Sequence, residues 1–174
     1  MRLEGDTLIV RPLAEAELPT LLKIYQGTPL YFEALGIKPN SLTLDDVRAQ
    51  WQAAQSASER LLLGVEVPAV DLLIGVVDVQ LHYPEPGITT FWLLLIWGGF
   101  QRQGYGQEVT ALVADWLIVE GITELRVVAA DNEEGLNFWQ LRGFSPSGEM
   151  TTAPLRNAPA RWLVRDSREL RIES

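Results

Sequence analysis

Apolar residues recur at helical spacing in four parts of the chain, and this predicts four helices. The first two cover about residues 14–25 and 43–57. The third follows a glycine-containing loop and ends at Gly121, and the fourth follows Asp131-Asn132 and ends at Gly143. Asn or Asp often caps the start of a helix and glycine often ends one, so these residues mark the expected boundaries.

Runs rich in Leu, Val and Ile between turn-forming residues predict the strands. The predicted strands cover residues 8–12, 60–67, 72–82, 89–96, 124–130, 149–152 and 160–165. Val67-Pro68-Ala69 and Pro84-Glu85-Pro86-Gly87 separate three of them, which we interpret as a meander. Because helices and strands do not alternate regularly, the order predicts a mixed α/β or α+β fold rather than a doubly wound sheet.

The segment that begins at Gly27 is predicted to be a loop. Residues 29–40 contain two prolines and one glycine, which interrupt regular structure, and Tyr31 and Phe32 look exposed. The next helix is expected to start near Thr43, because Asp46 three residues later forms a weak capping pair with it.

Length and composition predict that residues 1–174 form a single domain with one core, since 47% of the 174 residues are apolar. The absence of cysteine and the single histidine exclude disulfides, a cysteine nucleophile, and thiolate or multi-histidine metal sites, so no metal is expected. No apolar stretch approaches the roughly 20 residues that cross a bilayer, and no export signal is visible. We therefore expect a cytoplasmic protein without a membrane partner.

The formal net charge of -9 disfavours a nucleic-acid partner, because it repels phosphates. The same charge could attract a cationic acceptor such as an amine, or it could be ordinary surface charge that keeps the protein soluble. Composition leaves both interpretations open.

Residues 91–107 carry the most informative pattern in the chain. An apolar strand runs into Trp97-Gly98-Gly99-Phe100-Gln101-Arg102-Gln103-Gly104-Tyr105-Gly106 and then directly into a helix. Glycines allow a positive φ and close approach of a ligand, while the unpaired N–H groups and dipole of a first helical turn favour an anion. There is no P-loop spacing, and Val109 stands where a dinucleotide fingerprint has its third glycine. On spacing alone, a phosphate site and a turn without a ligand both stay open.

Two ordered motifs resemble those of the GNAT superfamily of N-acetyltransferases. Gln101-Arg102-Gln103-Gly104-Tyr105-Gly106 is similar to the family's Gln/Arg-x-x-Gly-x-Gly/Ala motif, which cradles the coenzyme A pyrophosphate. Asn132-Glu133-Glu134-Gly135-Leu136-Asn137-Phe138-Trp139-Gln140-Leu141-Arg142-Gly143-Phe144 resembles its Asn-x-x-Ala-x-x-Phe-Tyr-x-x-x-Gly-Phe block. Residues 8–13 are also similar to its first strand, so the resemblance covers about residues 8–166. It implies a GNAT fold, with a central, mostly antiparallel mixed sheet flanked by about four helices, and acetyl-CoA as the cofactor.

The resemblance further implies which residues hold the cofactor. Backbone groups of Leu94, Leu95 and Ile96 would pair with the pantetheine arm, and an amide near Leu95 or Ile96 would polarise the thioester carbonyl. The residues implied around the pyrophosphate are Gln101, Arg102, Gln103, Gly104, Tyr105, Gly106 and Gln107. From the second motif, Asn132, Phe138 and Trp139 complete the set, although Asn132 is equally suited to capping a helix.

The candidate catalytic base lies on the strand over residues 72–82, because the strand over 89–96 has no carboxylate or histidine where many relatives place one. Asp78, Gln80 and His82 alternate with apolar residues, so we expect them to share a polar face. Histidine as a residue type ordinarily titrates near neutral pH, which makes His82, with Asp78, a candidate catalytic residue. An exposed histidine at a strand end and a solvated strand face are the alternatives.

Trp139 stands where many relatives have the tyrosine thought to protonate the departing thiolate. An indole N–H is a donor but not a usable acid. Because a thiol has a pKa of roughly 8.5, the thiolate is still a tolerable leaving group near pH 8. Trp139 is equally suited to a place in the core.

Candidates for the acceptor side are Tyr31, Phe32, Glu33 and Trp92, with Glu33 either binding a cationic substrate or serving as surface charge. Together these features predict an acyltransferase that moves an acetyl group from acetyl-CoA to a primary amine of a small molecule or of a peptide or protein N-terminus. The alternatives are a non-catalytic acyl-CoA-binding module of the same fold and a domain without a cofactor. A homodimer is left open.

Overall fold

A computed structural model of the chain describes residues 1–156 and 158–166. These residues form one eight-stranded sheet and five α-helices. The strands are β1 (Leu3–Glu4), β2 (Ile9–Pro12), β3 (Arg60–Val67), β4 (Leu72–Leu81), β5 (Ile88–Ile96), β6 (Glu124–Ala129), β7 (Ser145–Thr152) and β8 (Pro159–Asp166). The helices are α1 (Leu18–Gln26), α2 (Pro29–Ala34), α3 (Leu44–Ser56), α4 (Tyr105–Val119) and α5 (Glu133–Leu141). Within the described ranges, no helix is long and apolar enough to cross a membrane.

The strands lie in the order β1-β2-β3-β4-β5-β6-β8-β7. Neighbouring strands are antiparallel with one exception, the parallel pair β5 and β6. The central meander of β3, β4 and β5 is confirmed, and so is the mixed, mostly antiparallel sheet.

Pairing between β5 and β6 stops part-way along the two strands. Ile88–Phe91 pair with Glu124–Val127, whereas residues 92–96 of β5 continue without a partner on that side. Because β6 ends at Ala129 and the chain then enters α5, the C-terminal ends of β5 and β6 leave a gap between them.

A bulge in β5 lies at the level where this pairing stops. Asp78 opposes Leu93 while Val79 opposes Phe91, so Trp92 is an extra residue on β5. A bulge bends its strand and increases the local twist. The bulge therefore directs the last part of β5 away from β6.

The two faces of the sheet bury two apolar cores. Val109, Val113 and Leu117 of α4, at helical spacing, pack with Trp139 of α5 on one face. On the other face, α1, α2 and α3 pack around a second set that includes Phe32. Side chains alternate between these faces along each strand, as the period of two requires.

Two helix starts use the caps that the sequence predicted. The Thr43 hydroxyl accepts the Asp46 N–H at 3.3 Å, and the Asp46 carboxylate accepts the Thr43 N–H at 2.8 Å, which forms a full capping box at the start of α3. Asn132 caps α5 by accepting the Gly135 N–H at 2.9 Å.

The prediction of a loop over residues 29–40 is wrong for its first half, because α2 covers Pro29–Ala34. Proline suits the first position of a helix, where its missing N–H is not needed. Phe32, expected to be exposed, is fully buried and contacts the Tyr25 ring at 5.2 Å between centroids. The helix α2 is therefore the fifth helix, beyond the four predicted from apolar spacing.

We expect the ion pair between Arg11 and Glu17 to make stability depend on pH. Arg11 donates to both oxygens of Glu17, at 2.7 and 3.0 Å, and hydrogen bonding to Arg11 lowers the pKa of Glu17 below its ordinary value of 4.5. A carboxyl whose pKa is lower in the folded state stabilises the fold above its unfolded pKa and loses this effect as the pH falls through the folded pKa. Glu17→Gln should therefore lower the free energy of unfolding by about 1 kcal/mol at pH 7.

Urea unfolding measured from pH 7 down to pH 3 tests this, and the difference from the unmodified chain should shrink towards pH 3. The control is Glu15→Gln in the same turn, since Glu15 is exposed and forms no ion pair within residues 1–156 and 158–166. A Glu17→Gln deficit that persists unchanged at pH 3 would contradict the assignment.

Candidate active site

A cavity of about 430 Å³ occupies the gap between the ends of β5 and β6. The last residues of β5, the glycine loop, the end of β6, and residues of α2 and α5 form its walls. The lining residues are Leu30, Tyr31, Leu93, Leu94, Leu95, Ile96, Gln101, Arg102, Gly104, Gly106, Gln107, Val128, Ala129, Ala130, Asn132, Glu134, Gly135, Phe138, Trp139 and Arg142. Both sequence motifs therefore meet at one cavity.

The edge of β5 presents backbone groups to this cavity. The Trp97 N–H donates to Ile74 of β4 at 2.7 Å, and Leu95 pairs with Val76 of the same strand. Backbone groups alternate in direction along a strand, so those of Leu94 and Ile96 point to the opposite side, where β6 no longer pairs. The Ile96 carbonyl accepts the Gln101 side chain at 2.9 Å. The groups left for a ligand are thus the N–H and C=O of Leu94 and the N–H of Ile96.

Gln101 therefore has a structural role in the loop, in addition to the ligand contact that the sequence suggested. Its bond to the Ile96 carbonyl closes the turn between β5 and the glycine loop. This narrows the role expected of Ile96 to its N–H group.

The glycine loop delivers the start of α4 to the cavity. Gly104 precedes the helix with φ +86°, and a Cβ atom there would find nothing within 4 Å. The first bond within the helix joins the Glu108 N–H to the Gly104 carbonyl at 3.1 Å, so the preceding N–H groups of α4 have no acceptor inside the helix. Together with the helix dipole, these groups form an anion site.

The open space beside Gly104 and the unbonded N–H groups fit a pyrophosphate. Arg102, which is largely exposed at φ +61°, lies at the mouth and pairs with Glu134 at 3.3 Å. Of the residues expected around the pyrophosphate, Gln103 and Tyr105 do not line the cavity. The remaining loop residues do.

Helix α5 contributes an aromatic wall. Trp139 is buried and contacts Phe91, Phe138 and Phe144, with ring centroids 6.2, 5.0 and 5.2 Å away. Phe138 also lies against Gly106, where a Cβ would come within 3.3 Å of its ring. Trp139 is thus a core residue and a cavity wall at once, and its indole offers no titratable proton.

The sequence left two roles open for Asn132, a helix cap and a ligand contact, and the structure shows the cap. Its Oδ1 is used by the cap on Gly135, and the residue also lines the cavity. The cap does not use the amide nitrogen of Asn132, so this nitrogen is the group that can donate to a ligand.

The expectation for His82 is corrected by its position. His82 is exposed at φ +54° in the turn after β4, and its Nδ1 accepts the Gly87 N–H at 3.0 Å. Gly87 precedes Ile88, the first residue of β5, whereas the cavity lies at the other end of that strand. At about 3.3 Å per residue, Ile88 and Leu95 are roughly 20 Å apart. His82 is too far away to deprotonate a substrate in this cavity.

Asp78 is fully buried and does not line the cavity, so it lies neither on the expected polar wall of a cleft nor on a solvated strand face. Arg60 donates to both of its oxygens, at 2.8 and 2.7 Å, and Gln50 donates to Oδ2 at 3.1 Å. Tyr25 in turn donates to Gln50 at 2.6 Å. Because Asp78 is buried beneath these donors and does not line the cavity, a substrate bound there does not reach its carboxylate.

Arg60 extends this buried cluster to the bulge. Its guanidinium carbon lies 5.4 Å from the Trp92 ring centroid, and the Trp92 indole donates to Gln80 at 3.1 Å. Burial alone would lower the pKa of Arg60, but its hydrogen bonds to Asp78 raise it. The cluster fixes the bulged residue of β5 in place.

The acceptor candidates do not converge on one place. Tyr31 lines the cavity, whereas Phe32 points into the core and Glu33 is exposed. Trp92 lines a second cavity of about 410 Å³ with Arg60, between α3 and the β7–β8 turn. Sequence reasoning missed the small residues Ala129 and Ala130, which leave room at the end of β6.

The fold and cavity can be compared with known structures. An acetyltransferase from Thermus thermophilus is 26% identical, with a TM-score of 0.75, and the match covers 95% of this chain and 99% of that one. A GCN5-related N-acetyltransferase from Brucella melitensis has a TM-score of 0.75 at 16% identity, over 97% of this chain and 80% of that one. A spermidine N-acetyltransferase from Vibrio cholerae, in complex with CoA and spermine, has a TM-score of 0.71 at 14% identity, over 94% and 98%. At the two lower identities, the likeness shows the fold alone.

Neither a model of a protein family nor a curated protein matches the chain. The class that the sheet order, the gap between β5 and β6 and these structures define is the GNAT fold. This fold agrees with the resemblance of the two motifs to those of GNAT-type N-acetyltransferases.

We expect the loss of one partner of the Arg60–Asp78 ion pair to be far more destabilising than the replacement of both partners by apolar residues. Asp78→Ala leaves the Arg60 guanidinium without its partner in a largely buried position, which should lower the free energy of unfolding by about 3 kcal/mol. The double variant Arg60→Met/Asp78→Leu should recover most of this loss, because no charge is left unpaired.

Urea unfolding at pH 7 measures both variants. Glu4→Ala, which breaks the exposed Arg2–Glu4 pair, is the control and should change stability by less than about 1 kcal/mol. A double variant less stable than Asp78→Ala alone would contradict this account.

Proposed function

We propose that the chain is an acetyltransferase that moves an acetyl group from acetyl-CoA to a primary amine of a small molecule or of a peptide or protein N-terminus. The observation that carries the proposal is one cavity in which a free strand edge on β5 and the unbonded N–H groups of α4 both face a ligand. The structures of the V. cholerae spermidine N-acetyltransferase with CoA and of the T. thermophilus acetyltransferase support it.

Each end of the cavity suits a different part of the cofactor. The N–H groups of Gly106 and Gln107 at the start of α4 would hold the pyrophosphate, and the backbone of Leu94 would pair with the amide groups of the pantetheine arm. The Ile96 and Leu94 N–H groups are those free to polarise a carbonyl. When bound, acetyl-CoA would supply an activated acyl group as a thioester.

The described residues offer no side chain suited to act as a general base in the cavity. Glu134, a carboxylate in its lining, pairs with Arg102 at the mouth. We therefore propose that the amine enters neutral or loses its proton to water. The acidic balance of the chain, with net charge -9, would favour a cationic amine arriving from solution.

A second candidate function is a non-catalytic acyl-CoA-binding module. It is favoured by Trp139, whose indole cannot act as an acid, and by the burial of Asp78. Turnover separates the two functions: release of free thiol from acetyl-CoA in the presence of an amine supports the enzyme, and binding without turnover across a panel of amines, polyamines and peptides supports the module.

The cofactor assignment predicts that acetyl-CoA and coenzyme A bind with micromolar affinity in a calorimetric titration and that NAD does not. Gly104→Ala should weaken the affinity for coenzyme A at least about tenfold, because the added methyl group occupies the space of the phosphate and an L-residue at this φ is strained. Thermal unfolding of each variant checks that it is folded.

Two control variants separate the backbone strain of Gly104→Ala from the space that its methyl group takes. Gly148→Ala is matched in strain, since Gly148 has φ +84° and open space but does not line the cavity. Gly99→Ala adds a methyl group in the same loop, without strain and outside the cavity lining. Equal losses of affinity in all three variants would contradict a phosphate site at Gly104.

The position of His82 predicts the pH dependence of transfer. His82→Ala should leave the profile of kcat/KM against pH unchanged, and the rate should rise with pH along the titration of the acceptor amine itself. Acceptors of different basicity are compared, and the midpoint should move with the pKa of the amine. A changed pH profile in His82→Ala would show that the histidine takes part after all.

A further inference from the structure

Tyr31 reaches the cavity from α2, on the wall opposite α5. It lines the cavity together with Leu93 and Leu94 of the free strand edge. Among the described lining residues, Tyr31 is the one with a hydroxyl group. This hydroxyl makes no hydrogen bond to another residue within 1–156 and 158–166.

The surroundings of Tyr31 hold its ring firmly. Its ring meets Phe32 edge-on, with centroids 5.0 Å apart, and Phe32 is fully buried. The turn before α2 is tied to the glycine loop, because the Thr28 hydroxyl accepts the Gly98 N–H at 3.1 Å and donates to the Ile24 carbonyl at 2.7 Å. A side chain held in this way loses little freedom when it bonds to a ligand.

The Tyr31 ring packs against the apolar cluster that includes Leu93 and Leu95 of β5. Burial raises the pKa of Tyr31 well above its usual range, and the charge of Asp78 raises it further. Tyr31 therefore keeps its proton in mildly alkaline solution.

Acetyl transfer makes the sulfur of coenzyme A negatively charged as it leaves, and a hydrogen-bond donor lowers the cost of that charge. The charged groups of the cavity give a thiolate little stabilisation. Glu134 would repel it, and Arg102 and Arg142 lie beside Glu134 in the walls formed by the glycine loop and α5. Other uncharged donors in the lining are the indole N–H of Trp139, the side-chain amides of Gln107 and Asn132, and the free backbone N–H groups of Leu94 and Ile96.

This inference rests on the proposed function. We propose that the Tyr31 hydroxyl donates a hydrogen bond to the sulfur atom of coenzyme A and so stabilises the thiolate as it forms. Tyr31 acts as a donor that keeps its proton, and the reaction returns the proton lost by the amine to the thiolate through water.

The test compares coenzyme A with desulfo-coenzyme A, which lacks the sulfur, in calorimetric titrations at pH 6.5 and 9.5. At pH 9.5 most of the bound thiol is ionised, since a thiol has a pKa of roughly 8.5. Tyr31→Phe should weaken coenzyme A about tenfold or more at pH 9.5 and much less at pH 6.5, because hydrogen bonds to charged groups are the stronger ones. The affinity for desulfo-coenzyme A should be unchanged.

Nearby titratable groups are the same in every variant: Asp78 on β4 with its partner Arg60 on β3, Tyr25 on α1, and Glu134 on α5. Tyr83→Phe is the matched control, because Tyr83 is exposed and does not line the cavity. With an amine that is a substrate, Tyr31→Phe should lower kcat about tenfold and leave the KM of the amine unchanged.

Three results would overturn the inference. Equal weakening of both ligands by Tyr31→Phe would mean that the ring only packs against the pantetheine arm. A selective loss for coenzyme A in Trp139→Phe instead of Tyr31→Phe would make the indole the donor. A raised KM for the amine with unchanged binding of coenzyme A would place Tyr31 on the acceptor. If the unmodified chain binds neither ligand, the proposed function fails, and this inference with it.

Discussion

The candidate site depends on the end of hydrogen bonding between β5 and β6 after Phe91 and Val127. Backbone groups inside a protein need partners, so a strand edge left free beside a cavity is costly unless something else bonds to it. One of these groups, the Ile96 carbonyl, is satisfied by Gln101 from the loop. The others face the cavity, which makes the free edge a ready-made binding surface for a ligand with amide groups.

The bulge at Trp92 explains how the strands separate without weakening the sheet. On its other side, β5 pairs with β4 both before and after the bulge, from Thr89 to Ile96. The buried cluster of Arg60, Asp78 and Gln50 lies directly beneath the bulge and contacts Trp92 through Arg60. A buried ion pair of this kind adds little net stability but is costly to break, so both partners have to stay in place.

Periodicity and caps were sufficient to predict most of the fold. The apolar faces of α4, the capping box at Thr43 and the turns between β3, β4 and β5 depend on local sequence, so they could be found without tertiary information. The helix α2 could not, because it is too short for a periodic signal and is stabilised by burial of Phe32. The two motifs predicted the walls of the cavity. The positions of Asp78 and His82 relative to the cavity could not be predicted, because they depend on the register of β4 and on the distance along β5.

The contact between the turn before α2 and the glycine loop has a mechanical consequence. The Gly98 N–H donates to the Thr28 hydroxyl, and the Trp97 indole lies so close to Gly27 that a side chain at residue 27 would have no room. The glycine loop and the turn that leads into α2 therefore cannot shift independently. A displacement of one wall of the cavity would be passed on to the wall opposite.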